Sequence, residues 1–115
     1  MEDNLIELLA TFGYPVIRQG SLAENEQYPP TFFTFWNNGE WEQSSYDNET
    51  VTIIHDFDVN VYSDDPVKVY DLLTQVRTLL KNNGYQTPDR GHDIASDTDT
   101  HTGRGINVTT IEREV

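Results

Sequence analysis

Val51-Thr52-Ile53-Ile54-His55-Asp56-Phe57-Asp58-Val59-Asn60-Val61-Tyr62 is the stretch on which the fold turns. Val51, Ile53, His55, Phe57, Val59 and Val61 share one face; Thr52, Ile54, Asp56, Asp58, Asn60 and Tyr62 share the other. Successive strand side chains point to opposite faces, so this alternation marks a strand with one buried and one wet face. The period changes directly after it. Ser63, Asp64 or Asp65 suits the cap of a helix, and Pro66 its first position. Val69, Leu72, Leu73, Val76, Leu79 and Leu80 then recur at three- and four-residue spacing, a stripe wide enough to cover a sheet face. Lys81 complements the negative end of that helix, and Gly84 stops it.

Upstream, Leu5, Ile6, Leu8, Leu9 and Phe12 predict a short amphipathic helix over 3–12, with Asp3 or Asn4 as cap and Gly13 as stop. A strand is expected at 14–20, with Pro15 near its start, then a loop at 21–30 and an aromatic strand at 31–36. Asn37-Asn38-Gly39 reads as a turn, and 39–50 as a polar hairpin tip or projecting arm holding Trp41 and Tyr46. Downstream, 85–94 is ambiguous, with room for a short strand near Pro88. Residues 95–105 read as a mobile loop and 106–111 as a last strand, with Ile111 out of phase and therefore at a bulge or an end. The expected fold class is α+β: one domain over 1–115, with a mainly antiparallel sheet of four to five strands packed on one face by two helices. Antiparallel pairing is expected because the first three strands follow one another without a helical crossover.

A chain of 115 residues is enough for one core. It contains no cysteine, which excludes disulfides, thiolate metal sites and a cysteine nucleophile. Twenty acidic residues against seven basic ones give a net charge of -13. Such a surface repels phosphate backbones and anionic lipid, so specific nucleic-acid binding and membrane binding are not expected. No apolar run approaches the ~20 residues of a membrane helix. Met1-Glu2-Asp3-Asn4 lacks the basic start of a signal peptide, so the expected compartment is the cytosol or an assembly built there.

No nucleophile motif and no His-Glu-x-x-His pair is present, and the chain is read as a non-enzyme with no cofactor, no metal and no catalytic residue. Asp93, Asp97, Asp99 and His101 form an oxygen-rich stretch, but the glycine and glutamate positions of a calcium loop are missing, and a solvated loop is the plainer reading. His55 is read as a core or sheet-rim histidine in preference to a general base. His92 and Asp93 are neighbours that should point apart. Asp56 and Asp58 share a face, as carboxylates that keep an exposed strand edge soluble. Gly103-Arg104-Gly105 is read as flexible turn chemistry with Arg104 as a surface contact.

The aromatics point more firmly toward a partner. Phe33 and Phe35 share one face, Phe32 and Trp36 the other, with Trp41 and Tyr46 following. Either the second face shows large rings to solvent as a protein contact, or the 37–50 segment covers it. Phe32, Trp36, Trp41, Tyr46 and Arg104 are the candidate subunit or partner contacts.

An ordered pattern runs through nearly the whole chain. Tyr14-Pro15-Val16 precedes Tyr28-Pro29-Pro30-Thr31-Phe32-Phe33-Thr34-Phe35-Trp36, then Tyr46-Asp47-Asn48-Glu49. His55-Asp56-Phe57-Asp58-Val59-Asn60-Val61-Tyr62 runs into Ser63-Asp64-Asp65-Pro66, and Gly91-His92-Asp93-Ile94-Ala95-Ser96-Asp97 leads to Gly103-Arg104-Gly105-Ile106. This pattern resembles the small tail-completion, or tail-terminator, proteins of long-tailed bacteriophages and prophages of Gram-positive bacteria. The resemblance implies a homohexameric ring that caps the tail tube, touches the tail-tube protein on one side and the head-tail connector protein on the other, and lets DNA pass through. It implies assembly in the host cytoplasm and residence in the virion tail. In such a ring, acids facing the lumen would repel the duplex and let it slide, and 39–50 and 95–105 would order on assembly. The competing readings are a head-closure or connector protein, another phage morphogenesis part, and an unrelated acidic protein-binding module.

Overall fold

The stretch that decides the sequence reading lies in the middle of the sheet. In the computed structural model, which describes residues 2–19, 28–44, 51–95 and 100–114, the strands are β1 (Val16–Arg18), β2 (Thr31–Ser44), β3 (Val51–Ser63), β4 (His92–Ile94) and β5 (Thr102–Glu114). Their order across the sheet is β1-β2-β3-β5-β4. Helices α1 (Glu2–Ala10) and α2 (Pro66–Lys81) cover one face, as the α+β reading expects.

The core follows from the alternation. Phe57, Val59 and Val61 of β3 meet Phe33 and Phe35 of β2 and Ile106 and Val108 of β5. Leu5 and Leu9 of α1 and Val69, Leu72, Leu73, Val76 and Leu80 of α2 close over them. The start of α2 is fixed by Asp65, whose carboxylate accepts from the Val67 amide at 3.1 Å, with Pro66 next in line. At its other end the Tyr85 amide returns to the Leu80 carbonyl at 3.0 Å, a reversal that Gly84 permits at φ 90°. The first helix begins at Glu2, ahead of the expected caps, which leaves the Asn4 side chain to accept from the Tyr85 hydroxyl at 2.9 Å.

Four expectations are corrected. First, β1 pairs with β2 in parallel, Val16 opposite Phe33, because the segment from Gln19 to Pro30 is long enough to carry the chain back to the start of the sheet. Second, Asn37-Asn38-Gly39 is a bulge inside β2. Asn37 faces Phe57 and Gly39 faces Asp56, so Asn38 is the extra residue. The Asn37 side chain accepts from the Gly39 amide at 2.9 Å, and Gly39 sits at φ 146°, so turn chemistry is used here without reversing the chain. Third, β5 starts at Thr102 and stays in register with β3 through Glu114, with no break at Ile111. Fourth, Gly103 and Gly105 are strand positions. A Cβ at Gly103 would lie 2.7 Å from the Tyr62 ring, and one at Gly105 would lie 2.2 Å from the Asn60 carboxamide oxygen. The glycines leave room for those two side chains and serve no turn.

The expected mobile segments are thus partly strand: Gly39 to Ser44 and Thr102 to Gly105 are paired. The rest of both, 45–50 and 96–99, lies outside the described residues, as do 20–27. Ladders β2–β3 and β3–β5 continue beyond the last helix-covered row and form a three-stranded blade of residues 40–44, 51–55 and 110–114. The molecule measures 53 × 28 × 22 Å, and its radius of gyration of 15.5 Å exceeds the about 13 Å expected for a compact chain of this length.

Candidate assembly surface

The sheet face opposite the helices is divided by polarity. Over the body, Asp56, Asp58 and Asn60 make the centre of this face polar, with Trp36 and the Phe32–Tyr62 ring pair beside them. Asp56 and Asp58 stand on β3 between amides from both flanking strands: Asn107 donates to Asp56 at 2.7 Å and to Asp58 at 3.1 Å, and Asn38 donates to Asp56 at 2.9 Å. The two acids therefore occupy a central strand and knit three strands together, which corrects the edge reading. Asn60 is buried and donates to Thr34 at 3.2 Å and Gln19 at 3.4 Å.

Over the blade the same face turns apolar. Trp41, Ile54 and Ile111 are register partners on β2, β3 and β5, so their side chains form one row across the blade. Trp41 is 47% and Ile111 54% exposed. Trp36, two rows back and 45% exposed, faces the Arg18 guanidinium at 5.9 Å. The inversion has a simple origin. At Ile53-Ile54 both faces receive an apolar residue, and the bulge at Asn38 resets β2 so that Trp41, not Glu40 or Glu42, joins Ile54.

The sequence-derived contacts divide accordingly. Trp36 and Trp41 are exposed on this face, as expected. Phe32 is only 4% exposed, because Tyr28 and Tyr62 stack on its two sides at 5.7 and 5.2 Å and His101 leans on it at 5.9 Å. It is a monomer core residue of the second face, covered by Tyr28, Tyr62 and His101 of its own chain. Tyr46 lies outside the described residues. Arg104 is turned inward: it pairs with Asp93 at 2.9 Å, donates to the Gly91 carbonyl at 3.2 Å and packs on the Tyr70 ring at 5.0 Å. Its role is to tie β4, β5 and α2 together, which corrects the surface-contact reading. Ile54 and Ile111 were not among the candidates. Ile54 interrupts the polar set of its face and Ile111 falls out of phase, and those two irregularities are the signal that would have found them.

The ionisable residues do not converge. Asp93 is engaged by Arg104, and His92 opposes Gly105 on the other side of β4, so the neighbours do point apart. His101 bonds the Pro29 carbonyl at 2.8 Å, while Asp97 and Asp99 lie outside the described residues. Among the described residues no group of three or more His, Asp or Glu is placed to hold a metal ion. His55 is buried at the root of the blade, with Nδ1 3.3 Å from Glu40 and Nε2 3.8 Å from Glu112. No helix among the described residues is long and apolar enough to cross a membrane. Compared with known proteins, the chain matches no family model and no curated protein sequence.

Proposed function

We propose that this chain is a tail-completion protein of a long-tailed phage, a structural subunit that works as a homohexameric ring between the tail tube and the head connector. The observation that carries the assembly part is the Trp41-Ile54-Ile111 row, an exposed apolar stripe on a blade that stands clear of the core. Exposed aromatic and aliphatic groups in one row are the composition of an interface centre, and a solitary chain gains nothing from them. A ring needs two different patches on each subunit. Val67 and Tyr70, exposed on the first turns of α2, provide a second one away from the blade. The phage part rests on the sequence resemblance, with which the two-layer α+β fold agrees. In this reading the tail-tube protein and the connector protein are the partners, assembly takes place in the host cytoplasm, and no reaction is catalysed.

The test is electron microscopy of particles assembled with and without this chain. Overlong or headless tails in its absence support the reading; normal virions refute it. A chain that instead copurifies with filled, tailless heads would be a head-closure protein.

A further inference from the structure

The other side of the blade carries the opposite chemistry. On the helix-facing side, the β3 column is Val51, Ile53 and His55, and β2 flanks it with Glu40 and Glu42 while β5 flanks it with Thr110 and Glu112. Val51 and Ile53 are half-buried, beyond the reach of the helix-covered core. Two inter-strand spacings separate the acidic flanks, a width of about 10 Å. That is an apolar floor with carboxylate walls.

His55 adds a second, independent observation. It is 4% exposed, and neither ring nitrogen makes a hydrogen bond. Both nitrogens aim at the walls, toward Glu40 and Glu112, without bonding geometry. Its ring is stacked on Phe57, and its neighbour Thr110 spends its hydroxyl on the Gly84 carbonyl at 3.2 Å. A buried ring without a hydrogen bond is unfavourable, and the charged groups within 4 Å of it are the wall carboxylates of Glu40 and Glu112. Among the described side chains no lysine or arginine reaches Glu40, Glu42 or Glu112.

We infer that this face docks a lysine- or arginine-bearing peptide segment with an apolar centre, supplied by a partner protein. Apolar groups of the segment cover Val51 and Ile53, and its cations lie along Glu40, Glu42 and Glu112. Charge selects the occupant: a second copy of a chain with net charge -13 brings acid to acid, and a nucleic acid does the same. The inference does not depend on the tail reading, since any acidic binding module with this blade would make the same contact.

The probe is a helical peptide whose apolar stripe is flanked by lysines, with a twin carrying glutamate in place of each lysine. Both are titrated into the full chain and followed by amide chemical shifts. Shifts confined to 40–42, 51–55 and 110–112, with no binding of the twin, are the expected result. Glu40→Gln/Glu42→Gln/Glu112→Gln weakens binding about tenfold, the summed effect of three rim charges. Asp3→Asn/Glu7→Gln/Asp71→Asn removes as many charges from the outer helix surfaces and leaves affinity within about twofold. Equal losses in the two triple variants, shifts centred elsewhere, or binding of the glutamate twin would overturn the inference.

Discussion

Body and blade are built from the same three strands, yet they solve the burial problem differently. In the body, helices α1 and α2 bury the apolar face, and the other face is closed by side-chain amides, hydroxyls and stacked rings of the same chain. In the blade, an apolar row appears on the face away from the helices, and on the helix side acids flank Val51 and Ile53. A strand pattern therefore does not guarantee that its apolar face belongs to the monomer. Here β2 changes phase at the Asn38 bulge and β5 at Ile111, while β3 keeps its alternation and adds Ile54 to the other face.

The contrast predicts that body and blade substitutions act on different quantities. Phe57→Ala, at a fully buried body position, costs about 3–5 kcal/mol of folding stability, read by chemical denaturation. Gly91→Ala costs less, about 1–3 kcal/mol, because φ is 115° and the new Cβ would sit 2.6 Å from Leu73 Cδ2. A Phe57→Ala chain as stable as the parent would contradict the role of that ring in the body's core.

The body also carries a pH dependence. Burial pushes the Tyr85 hydroxyl up from 10.0 to about 12. The folded state therefore holds this proton more tightly than the unfolded chain does. Its contribution is complete below pH 10 and fades as pH rises toward 12. Melting temperature should fall over that alkaline window, and Tyr85→Phe should flatten the fall. The smallest effect on stability belongs to the blade: Trp41→Ser and Ile111→Ser stay within about 0.5 kcal/mol of the parent chain in the same denaturation experiment.

The body was readable from the sequence because its signals are local and mutually consistent. The twelve-residue alternation at 51–62, the stripe from Val69 to Leu80 and the Asp65-Pro66 start each follow from one element's own period or cap. The features that were missed, in body and blade alike, have signals shared between strands. Asn37-Asn38-Gly39 has the composition of a turn, and only pairing to β3 makes it a bulge. Gly103 and Gly105 look like loop residues until Tyr62 and Asn60 are set against them. The parallel β1–β2 pair depends on where a long connection returns, which no local period encodes. At the surface, Trp36 and Trp41 were visible as large exposed rings, while Phe32 and Arg104 were claimed by partners distant in sequence. Ile54 and Ile111 needed the register between β3 and β5 to be seen as one row with Trp41.

Sedimentation of the parent chain and of Trp41→Ser/Ile111→Ser across a concentration series tests the central claim, that the blade's apolar row is where copies of the chain meet. The parent should form species heavier than 13.2 kDa as concentration rises, and the double variant should stay at 13.2 kDa with an unchanged melting temperature. A parent chain that remains at 13.2 kDa throughout, or a double variant that assembles as readily as the parent, would contradict it.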